Sequence, residues 1–301
     1  ANTAGLTVYA TTTLPYGVNT LTLGAADVGW TLMIGGANFG ASSTISVIGT
    51  STLKLATTTY GSGTLNLGQT VAGAPLTLPA TATFTAATGT VAYIGGGTAD
   101  IIVATTTFYN LNLTPTSTAA IRTYKFGGFT AAQTKQTATT TVSNVFTISS
   151  AGKADFQGMT DLLLSGSGTV FSKANGDFMQ SSKIVYSSTS ATNIATGTYA
   201  NLELTGAATK TLLGNSTATS TVTLGTSGAV LDGGGYTLTL SGSGTPLTKS
   251  SGNGIFQNIP TITYSSASAT NIATGTYANL TISGAVTKTL LGNTTATSTV
   301  T

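Results

Sequence analysis

Residues 186–223 and 264–301 align without a gap and agree at 32 of 38 positions. The six differences are Thr189/Ala267, Glu203/Thr281, Leu204/Ile282, Thr205/Ser283, Ala208/Val286 and Ser216/Thr294. Apolar residues stay apolar, and an acid is exchanged for a neutral residue. A catalytic loop is seldom written twice in one chain, whereas a structural unit is, and a fixed period of tens of residues points to a repeat architecture. The period is 78 residues, a unit at 186–263 followed by a partial copy at 264–301. Weaker echoes lie upstream. "TTTFYNLNL" at 105–113 parallels "TGTYANLEL" at 196–204, and "SGSGT" occurs at 165 and again at 241.

Short alternating runs fill the repeat and its surroundings: "TVTLG" at 221, "YTLTLSG" at 236, "STLKLA" at 51 and "TLNLG" at 64. Polar–apolar alternation is the period of a strand with one buried face. It predicts Val222, Leu224, Leu238 and Leu240 inside, with Thr221, Thr223, Thr237 and Thr239 outside. Gly-rich turns separate the runs, and no segment carries a helical stripe. Of the 301 residues, 68 are Thr and 38 are Gly, both poor helix formers. Charged residues make up only 6%, but 40% of the chain is hydrophobic, enough for a core. The surface must therefore be built from Thr, Ser, Asn and Gly.

The prediction is an all-β chain, a parallel β-helix (β-solenoid) with coils of about 20 residues. Tandem Ig-like β-sandwich domains are the alternative. Uniform composition without a linker, a single Trp (Trp30) and short strands between small-residue turns favour the solenoid. The spacing of alternating pairs drifts, however: 12 residues from Leu53 to Leu65, 16 from Val222 to Leu238 and 20 from Leu202 to Val222. Residues 1–50 are expected to form a divergent N-terminal β segment, and residues 51–301 the repetitive solenoid.

Residues 82–113, "ATFTAATGTVAYIGGGTADIIVATTTFYNLNL", resemble a recurrent phrase of long, repeat-rich secreted bacterial surface proteins. "ATGTYANLTISGAVTKTLLGN" and "LDGGGYTLTLSGSG" also resemble these, and filamentous-haemagglutinin-like β-helix repeats. The resemblance covers most of residues 50–301 and is weaker before that. It implies a right-handed parallel β-helix on or outside the cell, and it carries no active-site residues.

The residues themselves offer little chemistry. There is no Cys and no His, so thiolate sites, disulfides and imidazole bases are excluded. A net charge of +3 from scattered residues makes no basic stripe for nucleic acid. No 18-residue apolar run exists to span a membrane. The acids are Asp27, Asp100, Asp155, Asp161, Asp177, Glu203 and Asp232. Asp155 and Asp161, with Lys153 beside them, form the closest acidic pair for a polysaccharide-cleaving site; solvated turn acids are the expected reading. Asp232 in "LDGGG" is expected to brace a turn. Asn110, Asn201 and Asn279 recur in "FYNL" and "YANL", where stacked amides would cap a turn between coils. Tyr186, Tyr199, Tyr264 and Tyr277 recur as well, either as strand-end packing or as an aromatic track for sugars. Asn112, Asn215, Asn279 and Asn293 match the glycosylation pattern. No catalytic residue, cofactor or metal ligand is assigned.

The expectation is an extracellular structural protein, not an enzyme: the building block of a cell-surface fibre or filament that assembles end to end. Adhesin or glycan-binding module is the alternative, followed by polysaccharide-degrading enzyme and ice-binding protein. The start at Ala1 without Met suggests a removed signal peptide, and the break at Thr301 inside a repeat suggests that the natural polypeptide continues. The expected partner is a second copy, its N-terminal segment seated on the C-terminal coils of its neighbour; glycans or the cell surface are further candidates.

Overall fold

Strands stack in parallel, coil upon coil, in a computed structural model of the chain. It describes the backbone of residues 6–9, 20–23, 31–35, 38–39, 44–49, 52–55 and 58–60. It then describes residues 64–69, 72–77, 84–86, 88–116, 121–127, 139–174, 176–179, 183–249 and 254–301. The described residues contain no helix, and every strand pair is parallel. The fold is a β-solenoid with coils of about 22 residues. All-parallel pairing excludes the Ig-like alternative, which needs antiparallel sheets. The chain divides into two compact units, one formed by residues 1–160 and 172–179, the other by residues 161–171 and 180–301.

In the first unit one face stacks Thr20–Leu23, Thr44–Gly49, Thr64–Gln69, Thr90–Tyr93, Thr107–Leu113 and Thr139–Ile148. Leu65, Val91, Leu111 and Phe146 lie opposite one another and are fully buried, as are Leu67, Tyr93, Leu113 and Ile148. A second face is made by Ile101–Val103, Arg122–Gly127, Gly152–Gly158 and Asp177–Met179. Phe126, Phe146 and Phe156 close the space between the faces, with ring centroids 5.0–6.2 Å apart. Each ring of this size buries about 1.5–3 kcal/mol of transfer free energy.

The second unit repeats the plan with aliphatic ladders. Leu162, Ile184, Leu202, Val222 and Leu247 form one row, opposite each other in successive coils and at most 1% exposed. Leu164, Tyr186, Leu204 and Leu224 form the neighbouring row. Val222, Leu224, Leu238 and Leu240 are buried as predicted, and Thr221, Thr223, Thr237 and Thr239 are half-buried in outer rows. Thr223 and Thr248 hydroxyls meet at 3.0 Å, and the Thr221 hydroxyl donates to Asn201 Oδ1 at 2.9 Å.

The drifting spacing has a geometric cause. Leu238 does not continue the Val222 row; it lies opposite Ser216, while Val222 lies opposite Leu247. The Ser216–Leu224 strand is long enough to carry two partners, Leu238–Leu240 on its first half and Leu247–Lys249 on its second. Leu53 and Leu65 belong to different sheets, so their 12-residue separation runs within a coil, not between coils. A bulge bends the long strand. Tyr199 lies opposite Ala218, yet Asn201 lies opposite Thr221, which leaves one extra residue. The same irregularity recurs in the second copy, where Tyr277 faces Ala296 and Leu280 faces Val300. It recurs upstream between Phe108 and Asn110, so the echo at 105–113 is a third occurrence of one structural unit.

Candidate functional site

The twice-written phrase "YSS(T/A)SATNIATGTYANL" folds into a corner that satisfies its own polar groups. The Ser188 hydroxyl accepts from Ser190 N–H at 3.1 Å, and Thr192 Oγ1 donates to Ser190 carbonyl at 3.0 Å. Ser266, Ser268 and Thr270 repeat this at 3.1 and 2.8 Å. Thr192 and Thr270 are 2% exposed, so these bonds replace the water that the hydroxyls have lost. "SGSGT" is the turn of the preceding coil on which the corner rests. Asn193 N–H donates to Gly168 carbonyl and its amide to Thr169 Oγ1; Asn271 does the same to Gly244 and Thr245.

A lysine locks each corner from the following coil, buried in the first copy and half-buried in the second. Lys210 is fully buried and donates to the carbonyls of Ser188 at 2.7 Å and Ala208 at 3.3 Å. Burial holds its ammonium pKa below the usual lysine value. Lys288 donates to Ser266 carbonyl at 2.7 Å. Arg122 takes the same part in the first unit, fully buried, with Nε and Nη1 on the carbonyls of Ala99 and Gly96, both at 3.0 Å. Sequence reasoning passed over these cations, although Lys210 and Lys288 occupy one repeat position and their invariance between the copies was visible.

The recurring tyrosines are core residues. Tyr186, Tyr199, Tyr264 and Tyr277 are at most 1% exposed, which overturns an aromatic track for sugars. Ala195 N–H donates to Tyr186 Oη at 3.1 Å, Tyr199 donates to Ala195 carbonyl, and the two phenols touch at 3.4 Å. Tyr264, Tyr277 and Ala273 repeat the arrangement, with the phenols 3.0 Å apart. Burial pushes the Tyr186 phenol up to about 12 and raises Tyr199, Tyr264 and Tyr277 as well.

The acids are structural in placement. Asp155 is buried in Gly152–Gly158, opposite Lys125, and belongs to the first unit; Asp161 belongs to the second and lies opposite Lys183. Lys153 faces Asp177, not the Asp155–Asp161 pair. Lys183 Nζ is 2.5 Å from Glu203 and 3.6 Å from Asp161, and the hydrogen bond to Glu203 chiefly raises its pKa. Asp100 pairs with Lys125 at 2.6 Å. Asp232 braces the turn, accepting from Gly234 N–H at 2.8 Å and from the amides of Asn258 and Gln257 at 2.8 and 3.1 Å. Asp27 lies outside the described residues. No cluster of three potential metal ligands occurs among the described residues.

Asn110 and Asn201 lie in mid-strand rather than at a turn, and Asn279 opens its strand. Asn110 donates to Thr90 and accepts from Asn144, Asn201 accepts from Thr221, and Asn279 donates to Pro260 carbonyl. They join mixed polar rows that include Thr, not a pure amide ladder. Of the glycosylation-pattern residues, Asn215 and Asn293 are exposed, and Asn215 Oδ1 accepts from Thr237 N–H. A cavity of about 300 Å³ lies beside Phe256 and Tyr277. The two rings pack on each other at 5.0 Å and are at most 8% exposed, so neither offers a face to a sugar.

Residues 286–301 form the last coil described. Leu212 is 1% exposed, but its repeat equivalent Leu290 is 55% exposed; Val222 is buried, but Val300 is 61% exposed. Among the described residues, Lys288–Leu290 pairs only with Thr270–Ile272, and Thr294–Ala296 only with Gly275–Tyr277. In the first copy the equivalent strands have partners on both sides. The outer side of these strands carries no partner among the described residues, and the polar corner with its capping cation is the feature that the structure builds in both copies. Compared with protein-family models, curated proteins and solved structures, the chain matches none.

Proposed function

We propose that the chain is an extracellular structural protein, the building block of a cell-surface fibre or filament that assembles end to end. The observation that carries this reading is the recurrence of a coil whose polar groups are engaged in holding the stack together: Lys210 and Lys288 bond to the carbonyls of Ser188 and Ser266, and the tyrosine pairs bond to Ala195 and Ala273. Stacked repeats of this kind contact their neighbours, so further copies extend the stack. The likeness to repeat-rich secreted surface proteins points to the cell exterior. A contact between the leading face of one molecule and the trailing face of the next is heterologous and propagates.

Electron microscopy and sedimentation of the purified 301-residue chain test the reading. Filaments or open-ended oligomers whose population grows with concentration are expected. A chain that stays monomeric at high concentration overturns it. A saturable hit on a glycan array would favour the adhesin alternative instead.

A further inference from the structure

The outer residues of one sheet face set the second copy apart from the first. Residues 161–169 read "DLLLSGSGT" and residues 237–245 read "TLTLSGSGT", so the likeness between the copies reaches back beyond Tyr186. Leu162, Leu164, Ile184, Tyr186 and Leu202 are matched by Leu238, Leu240, Ile262, Tyr264 and Leu280, all buried. The residues that alternate with them change in one direction. Asp161, Leu163, Lys183, Val185 and Glu203 give way to Thr237, Thr239, Thr261, Thr263 and Thr281. Random drift would scatter such changes. Here an ion-paired cluster and two aliphatic residues all become threonine, while the core beneath them stays as it was.

The structure sets these threonines in register. Thr217 lies opposite Thr239, Thr239 opposite Thr263 and Thr263 opposite Thr281. Their steps of 22, 24 and 18 residues differ, so the uneven coil lengths are absorbed outside the row. Thr261 lies opposite Asn279, and Thr237 and Thr261 directly precede the paired Leu238 and Ile262. Two rows therefore run side by side, about 4.8 Å from coil to coil and roughly 6.6 Å apart along each strand. Their side chains are half-buried, and the threonine hydroxyls have no hydrogen-bond partner among the described residues. On the second half of Ser216–Leu224 the hydroxyls are taken: Thr221 donates to Asn201, and Thr223 meets Thr248. β-Branching restricts each threonine to few rotamers, so hydroxyl and methyl repeat along a row in one arrangement. The rows hold no charge with a water shell of its own, and no ring to stack on a sugar.

We infer that this face binds ice. Its free hydroxyls hold water at the spacings of the two rows, and the methyls between them limit the other partners that this water can take. Water oxygens on a crystal face of ice repeat at nearly the same separations, so the held layer merges with the crystal. The ligand is frozen water met as a flat surface, and the packed aliphatic rows beneath keep the face rigid. The rows form within one molecule and need no second copy. This activity is thus separate from fibre assembly, and so is its test.

Partition of the purified chain into slowly grown ice tests the proposal, with the gap between melting and freezing of a single seed crystal as a second readout. Enrichment in the ice over a globular protein without such rows is expected. Thr263→Lys places a hydrated charge in the middle of the longer row and should remove most of that enrichment. Thr223→Lys, on the second half of Ser216–Leu224, should leave it unchanged. Both variants should keep the circular dichroism spectrum of the parent. Equal losses in the two variants overturn the placement of the site. A parent chain excluded from ice as the globular protein is overturns the proposal outright. Adsorption to crystalline chitin or cellulose without enrichment in ice overturns it too, and assigns the face to a solid glycan.

Discussion

The two copies of the repeat are one sequence in two environments. Residues up to the middle of each copy are buried alike: Tyr186 and Tyr264, Thr192 and Thr270, Tyr199 and Tyr277, Leu202 and Leu280 are all at most 3% exposed. Beyond that point the copies part. Leu212 and Leu290 have the same neighbours in sequence, and differ by 1% against 55% in exposure. Whether a leucine of this repeat is core or surface is thus decided by the next coil, not by its own alternation. Corner, capping lysine and tyrosine pair form alike in both copies; the aliphatic row beyond them differs.

The largest effect should come from placing a charge in that row. Leu212→Asp buries an unpaired carboxylate and should cost about 3 kcal/mol or more, whereas Leu290→Asp should stay within about 0.5 kcal/mol in the monomer. Urea unfolding of the two variants measures the gap, and equal losses would break the comparison.

Glycine offers a second test. Gly206 and Gly284 have φ of 79° and 94°, and an added Cβ would lie 2.3 Å from Ser188 carbonyl oxygen in the first copy and 2.7 Å from Ser266 carbonyl oxygen in the second. Gly206→Ala should cost about 1–3 kcal/mol. Gly284→Ala should cost less, because its added Cβ meets the carbonyl oxygen at the longer distance. Thermal unfolding of the pair would show whether the order holds.

The tyrosine pairs respond to alkali in both copies. A phenol that burial raises keeps its proton in the fold after the unfolded chain has lost it. Stability is therefore whole below pH 10.0, the unfolded value, and falls as pH rises from there to about 12 for Tyr186. Each such tyrosine contributes a slope of about 1.4 kcal/mol per pH unit. Tyr186→Phe should remove one such contribution, which urea midpoints at stepped pH would reveal as a shallower decline.

The smallest effect concerns the one place where the copies differ in charge. Glu203 pairs with Lys183 at 2.5 Å, and the second copy has Thr281 instead. Glu203→Thr should cost at most about 1 kcal/mol, since the lysine is partly exposed, and less at high salt. A loss of several kcal/mol would mean that the pair positions the coil.

Much of the repeat's core was legible before the structure. Alternation placed Val222 and Leu238 inside, and the repeat predicted that residues 286–301 would want a following coil. The chemistry of the polar phrase was not legible. Ser188, Thr192 and Lys210 are residue types that favour water, and they are buried because hydrogen bonds within the corner and, for Lys210, to the preceding coil satisfy them. Nothing local in "YSSTSATN" announces that a lysine on the next coil will cap it.

The sequence alone determined the strand period, which residues share a face and the fact of a repeating unit. These depend only on side-chain alternation, which every strand expresses by itself. The tertiary structure decided which rows join. Val222 continues to Leu247 and not to Leu238 because a long bulged strand takes two partners. It also decided that Asp155 and Asp161 belong to different units, and that one copy of Leu-Leu-Gly-Asn is closed where the other is open. Pairing between coils joins residues some 20 positions apart, across loops whose length varies. Register is therefore a property of the stack and is written in no single coil.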